Sequence, residues 1–306
     1  MSLRANYAFS PSGDTGKQCN ITTLRAHERM LGEKQQNPII RARAIELIFR
    51  KTVENVYVIV GKPAYANVAA IVLPEQVVMV DCGIQVSAAH GARNEIEQTS
   101  GKKVETIVLT HFHSDHTHAL SEFSDCRIVA SNLLSANLKS AVRRTAMGLV
   151  PLFPNETFDD RLEIKDHGVR LVARRTGGHT DCSTYVHCAR YGVVVAGDNL
   201  VWSCYPWGAR NSDPDVWVRT LREYLSLDAE LFVPGHGSVG GKDKVAELLR
   251  YLDSINSLMR QMVASGKDEK EVLAAAQGIP YSQSRAGPTH ITSLRNWFRF
   301  WRAHSG

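Results

Sequence analysis

The chain reads as an α/β protein with mixed strands. Three observations predict this. A 306-residue chain with 43% hydrophobic residues can bury a sizeable core. Apolar runs of strand length interleave with helical stretches along most of it, which excludes a repeat array or a long coiled coil. Polar loops loaded with histidine, aspartate and glycine begin where several of those apolar runs stop, the usual place for ligands.

Residues 1–43 are polar, with Ser, Gly, Asn and Gln throughout. They read as an N-terminal extension holding one short helix over Thr23–Leu31, and the opening Met-Ser-Leu resembles a vector remnant. From Ala44 the texture changes to β-rich runs at Ile45–Phe49, Val56–Val60, Asn67–Leu73 and Val77–Val80. Gly61-Lys62-Pro63 and Pro74-Glu75 supply turn chemistry between them. After Asp81-Cys82-Gly83 a helix is expected through Glu95 and Ile96, and the apolar strand Thr106–Leu109 then leads directly into Thr110 and a group of histidines. Strand and helix segments follow at Ile128–Ala130, Ser131–Leu138, Val169–Ala173, Thr184–Cys188, Val193–Ala196 and Leu231–Val233. These make a core domain over residues 44–241. Beyond Gly241 the period becomes helical: Val245, Leu248, Leu249, Leu252, Ile255, Met259 and Met262 form one apolar stripe that stops at Gly266. Two shorter helices complete residues 242–306 as a C-terminal helical segment packed on the domain. The last, His290–Ala303, sets Arg295, Arg299 and Arg302 beside Trp297, Phe298, Phe300 and Trp301, which reads as core packing with a solvated basic edge.

Composition narrows the function classes. No run of about 18 apolar residues could span a bilayer, and the first twenty residues are too polar for a secretory signal, so a cytoplasmic protein with no membrane partner is expected. Six cysteines at 19, 82, 126, 182, 188 and 204 lack CxxC spacing, and reduced, mostly buried thiols are the expectation. A net charge of +5 is mild, and the basic residues are dispersed apart from Arg143-Arg144 and Arg174-Arg175. That charge suits an anionic small-molecule substrate and leaves no nucleic-acid footprint.

The chemistry concentrates in Thr110-His111-Phe112-His113-Ser114-Asp115-His116, where three imidazoles and a carboxylate fall within six consecutive positions. Neither helical nor strand periodicity explains that density. Neutral imidazole nitrogen and carboxylate oxygen are ligands that zinc and iron accept, and a loop can aim neighbouring side chains at two nearby points. Three more residues sit in glycine-flanked loops that meet the same requirement: His179 in Gly-Gly-His-Thr, Asp198 in Ala-Gly-Asp-Asn and His236 in Pro-Gly-His-Gly.

In type and in order these motifs resemble those of the metallo-β-lactamase superfamily, most closely its glyoxalase II-like and lactonase-like hydrolases, over residues 44–241. Val80-Asp81-Cys82-Gly83 is similar to the superfamily's early Asp-x-Gly turn, which implies that Asp81 supports the metal loop from behind. The resemblance implies one ion on His111, His113 and His179, a second on Asp115, His116 and His236, and Asp198 bridging the two. It also implies a four-layered αβ/βα sandwich with the metals at one edge between the sheets. The ions would be divalent, zinc first, with iron or manganese as alternatives. One group of β-lactamases in the superfamily has Arg in place of His116 and Cys in place of Asp198, so penicillin hydrolysis is a minor expectation. Lactonases place a tyrosine soon after the bridging aspartate, whereas this chain has Asn199-Leu200-Val201-Trp202, and the C-terminal helices show no match to the glutathione-binding pattern of glyoxalase II.

The implied reaction is hydrolysis. A hydroxide shared by the two ions attacks an ester, thioester, lactone or amide carbonyl, with Asp115 and Asp198 as the catalytic carboxylates. No Gly-x-Ser-x-Gly elbow is present, and none is needed. The loop from Trp202 to Arg210 would overhang the metals, with Trp202, Tyr205, Trp207 and Arg210 either lining a partly apolar pocket or packing on the C-terminal helix. His118 would either support the ligands from behind or be structural. Two alternatives stand beside this reading: a sulfur-dioxygenase-like enzyme with a single iron on the first three histidines, and a module that keeps metal without turnover. A nuclease role is disfavoured because no RNA-holding arm is recognisable.

Overall fold

A computed structural model describes residues 21–24, 47–60, 66–145, 152–202, 204–281 and 288–304. Among these residues, eight strands form a first sheet in chain order: β1 (Ile21–Leu24), β2 (Leu47–Val53), β3 (Val56–Val60), β4 (Val68–Val72), β5 (Val77–Val80), β6 (Val104–Val108), β7 (Arg127–Ser131) and β8 (Glu156–Phe158). Strands β1 to β5 are antiparallel neighbours, and β5 to β8 are parallel. Parallel neighbours need crossovers. These are α1 (Val86–Ser100), the short α2 (Ser114–Thr117) with the 3₁₀ turn after it, and α3 (Asn132–Thr145).

The second sheet contains β9 (Arg161–Asp166), β10 (Val169–Arg175), β11 (Thr184–Cys188), β12 (Val193–Val201) and β13 (Leu231–His236), in the order β13-β12-β11-β10-β9. It is antiparallel except where β13 lies parallel to β12, a crossover made by α4 (Pro214–Ser226). Helices α5 (Lys242–Ala264), α6 (Glu269–Gln277) and α7 (Pro288–Ala303) complete the described chain.

Alternation along the strands builds the layers. On β3, Val56 and Val58 enter a core between the sheets, while Ile59 faces a second core beneath α1 and α3. Val169, Leu171 and Ala173 of β10 meet the first of these from the opposite sheet. A third core packs Val194, Ala196 and Leu200 of β12 against α4, α5 and α7. The result is the helix-sheet-sheet-helix sandwich that the motifs imply. Each large side chain so buried contributes roughly 1.5–3 kcal/mol before chain entropy is set against it.

Local signals account for the helix ends. Asp213 accepts the amides of Asp215 and Val216 ahead of Pro214, which starts α4. Asp268 and Glu271 form a reciprocal capping box on α6. The stripe on α5 buries Val245, Leu248, Leu252, Ile255 and Met259 as expected, with Leu249 and Met262 partly buried at its margin.

Several expectations are corrected. Thr23 and Leu24 belong to β1, which pairs with β2, so the helix expected over Thr23–Leu31 does not begin there. The β-branched Ile21-Thr22-Thr23 favours a strand, and the rest of that helix lies outside the described residues, as does the Gly61-Lys62-Pro63 turn. β12 continues to Val201 instead of stopping at Ala196, and α3 reaches Thr145. The strands β8 and β9 and the helix α4 were not anticipated. Their charged residues mask the pattern, since β9 reads Arg-Leu-Glu-Ile-Lys-Asp with only Ile164 and Asp166 buried. The aromatic face of α7 packs as expected, with Trp297, Phe298 and Trp301 buried and Arg295 bonded to Glu269. The five described cysteines form no disulfide, and four of them are buried. No helix among the described residues is long and apolar enough to cross a membrane.

Candidate metal centre

Strand ends, one inter-strand loop and one position inside a strand deliver the site. Asp81 follows β5, the histidine loop follows β6, His179 lies between β10 and β11, Asp198 lies within β12 and His236 ends β13. Ligand sites of open α/β sheets characteristically lie at such carboxyl ends. The seven residues expected as ligands converge in two groups: His111, His113, His179 and Asp198, and beside them Asp115, His116 and His236.

In the first group His111 Nε2 and His179 Nε2 each lie 3.0 Å from His113 Nδ1, and Asp198 Oδ2 stands 3.8 Å and 3.5 Å from those two Nε2 atoms. In the second, His116 Nε2 is 3.1 Å from Asp198 Oδ1 and 3.7 Å from Asp115 Oδ2, and His236 Nε2 is 3.1 Å from Asp115 Oδ2 and 3.5 Å from Asp198 Oδ1. Around a tetrahedral ion with bonds near 2.0–2.1 Å, ligand atoms stand roughly 3.3 Å apart. Both groups match that edge length, and Asp198 offers one oxygen to each.

Hydrogen bonds behind the cluster fix the imidazole tautomers. Asp81 accepts from the Thr110 amide and hydroxyl and from His116 Nδ1–H, each at 2.7 Å. The Thr110 hydroxyl, having donated to Asp81, accepts from His111 Nδ1–H at 3.0 Å. His179 Nδ1–H donates to the Trp207 carbonyl at 2.7 Å. All three therefore present Nε2, not Nδ1, to the centre. His111 Nε2 and His179 Nε2 both face His113 Nδ1, and protons alone cannot satisfy all three, because one N–H serves one acceptor. The buried His116 Nε2 and Asp198 Oδ1 also have no hydrogen-bond partner. Divalent cations would answer both shortfalls, so the donor set fits them.

Electrostatics divides the site. Burial holds His111 and His113 below the ordinary imidazole range and His179 at about 4, so all three are neutral and able to ligate. Burial also works against charge on His116 and His236, but the facing carboxylates of Asp198, Asp81 and Asp115 push both upward. Asp198 is held well down: burial opposes its ionisation, and the imidazoles around it, His116 foremost, outweigh that. The second half thus attracts positive charge.

Supporting residues absent from the sequence reading tighten the loops. Asn67 donates to the carbonyls of Pro234 and Gly237 and clamps the His236 turn. Asn199 accepts the His179 amide and donates to Gly177 O. A Cβ on Gly235 would overlap Asp198 Oδ1 and approach Gly197 C within 2.8 Å, so only glycine lets β13 come this close. The polar start of β4 and the residue after Asp198 were the available signals, but both sat inside apolar runs.

The other expected residues divide. His118 is exposed, and no hydrogen bond or ring contact joins it to a ligand. Trp202 is buried in the core with α5 and α7, and Tyr205 stacks on His290 with ring centres 3.8 Å apart, so both pack against the C-terminal segment instead of lining the donor cluster. Trp207 and Arg210 are exposed.

Comparison with known proteins agrees with this geometry. The metallo-beta-lactamase superfamily matches residues 61–236. A linear primary-alkylsulfatase of Pseudomonas sp. is 25% identical over 224 residues, covering 58% of this chain and 42% of the relative, so the chain spans less than half of that enzyme. A probable metallo-hydrolase of Methanocaldococcus jannaschii is 22% identical and is covered over 91% of its length, against 58% of this chain. Among solved structures, a metallo-beta-lactamase from Pontibacter korlensis shares the fold at a TM-score of 0.55 and 19% identity, covering 67% of this chain and 99% of that one. With the motif order, the two donor groups and this match over more than half its length, the chain belongs to the metallo-beta-lactamase superfamily.

Proposed function

We propose that the protein is a dinuclear metal-dependent hydrolase that cleaves an ester, thioester, lactone or amide bond of a small molecule. The observation that carries this reading is Asp198 offering one oxygen to each of two complete donor groups. When bound, divalent ions acidify a coordinated water and polarise the scissile carbonyl. The chain's own residues supply the rest. Asp115, more open than Asp198 and bonded to His236, is the carboxylate that can accept the proton of an attacking water. Asp81 and Thr110 hold His116 and His111 in the ligating tautomer. The exposed Trp207 and Arg210 sit on the loop bonded to His179 and would contact a partly apolar, anionic substrate.

His116 and Asp198 favour the glyoxalase II-like and lactonase-like branch over the β-lactamase group that has Arg and Cys in their places. The ions expected are two zincs, with iron or manganese as substitutes. The cytoplasm is the expected location. Metal analysis with a hydrolysis panel tests this: about two ions per chain, activity lost on chelation and restored by zinc, and turnover of at least one thioester, lactone, alkyl sulfate or amide. One iron per chain with oxygen uptake would replace this reading with the dioxygenase, and bound metal with no turnover would leave a binding module.

A further inference from the structure

The ligand His179 is held by a route that leads out of the matched domain. Its Nδ1–H donates to the carbonyl of Trp207, and the next residue, Gly208, is gripped on both sides by α7. Ser293 Oγ accepts the Gly208 amide at 2.9 Å, and Asn296 Nδ2 donates to the Gly208 carbonyl at 2.8 Å. Trp297 closes over the same residue so tightly that a Cβ on Gly208 would stand 2.5 Å from its Cε2. A second strand of the route runs from Trp297 Nε1 to Ser212 Oγ at 3.3 Å, and from Ser212 Oγ to the carbonyl of Gly178, beside His179, at 3.1 Å. Trp217, edge-on to both Trp297 and the His179 ring, fills the space between. Ser293 and Trp297 are completely buried, so water cannot substitute for the contacts those two make.

We infer that Ser293, Asn296 and Trp297 of α7 are positioning residues for the metal ligand His179, acting through the 207–212 loop. The physical reason is that a carbonyl accepting the Nδ1–H of a ligating imidazole sets the ring's tautomer and direction, and loss of such a partner typically weakens metal binding 10–100-fold. A loop carbonyl does this only if its peptide is fixed, and here a helix beyond residue 241 fixes it. This rests on the metal-site reading above.

The test uses the full chain with Ser293→Ala, Asn296→Ala and the double variant, with Ser293→Thr as conservative rescue. Leu294→Val, a buried change on the same helix with no hydrogen bond to the loop, is the control for helix loosening. Zinc affinity is read by chelator competition, and the absorption spectrum of the cobalt-loaded protein reports ligand geometry. In the metal-free protein, the exchange rate of the His179 Nδ1 proton is followed by imidazole ¹⁵N NMR. The expected result is about 10–100-fold weaker binding at one of two sites, an altered cobalt spectrum and faster Nδ1–H exchange in the alanine variants. Ser293→Thr and Leu294→Val should stay near wild type. Wild-type metal binding with unchanged affinity in the double variant, or equal losses in Leu294→Val, would overturn the positioning role alone. A wild type that takes up no metal would overturn the metal reading and this inference with it.

Discussion

At the scale of single residues the centre depends on one strained aspartate. Asp81 adopts a left-handed φ of 63°, a conformation that costs a non-glycine residue about 1–3 kcal/mol. Three donors hold it there, and through them it orients His111 and His116. Asp81→Asn keeps a residue that tolerates the backbone but gives up one acceptor oxygen, so we expect a folded protein whose zinc affinity falls about 10–100-fold, as read by chelator competition. Asp198→Ala removes a donor from both groups, and metal content should drop at both sites with turnover lost by more than about 100-fold. The ligand residues were legible in the sequence because chemistry, not packing, explains three histidines in six positions. Asn67 and Asn199 were not, because each works through backbone atoms of a distant loop that only the folded chain brings near. Nor could sequence separate Trp202 and Tyr205, which pack inward, from Trp207, whose carbonyl meets a ligand.

At the scale of elements, approach distances decide the geometry. β13 lies beside β12 only because Gly235 has no side chain. Gly235→Ala should therefore cost roughly 1–3 kcal/mol or more in urea unfolding and reduce metal content, since the strand must retreat from Asp198. On the far side of the molecule α1 is tied to the turn before β7 by Arg93, which donates to both oxygens of Asp125 at 2.7 and 2.6 Å. Its guanidinium holds the exposed Asp125 carboxyl at about 2. Because that value is lower than in the unfolded chain, the pair's contribution is present above about pH 4 and fades as pH falls toward 2. Solvent screening keeps it below about 1 kcal/mol. The gap in urea midpoint between wild type and Asp125→Asn should accordingly be small at pH 7 and narrow further by pH 3. Strands with continuous apolar runs, such as Val193–Ala196, announced themselves. β9 did not, since one of its faces is charged and open to solvent.

Across the whole molecule, three cores are stacked in one sandwich, and the third joins the second sheet and α4 to the C-terminal helices. Trp217 of α4, Trp202 and Tyr224 share it with Leu252, Leu294, Trp297 and Phe298. Deleting α6 and α7 would uncover that surface, so a chain ending at residue 264 should bind a hydrophobic dye, aggregate and be cut rapidly by protease, whereas the full chain resists. The α/β class was legible from the order of strands, helices and loaded loops, and the layered sandwich followed from the resemblance of the motifs to the superfamily. The membership of an early segment, β1, in the first sheet was not, because a four-residue strand carries too little pattern to distinguish from a polar tail.

The placement of β13 bears on the order of events during synthesis. This strand lies at the border of its sheet, is the last of the thirteen described strands, and carries His236 at its tip. Until it docks parallel to β12, the second donor group lacks His236, while His111, His113, His179 and Asp198 precede it in the chain. Parallel pairing across so long a stretch is slow to form. A chain arrested before residue 231 should thus retain less metal than one extended past His236, as read by metal analysis of the two stalled products.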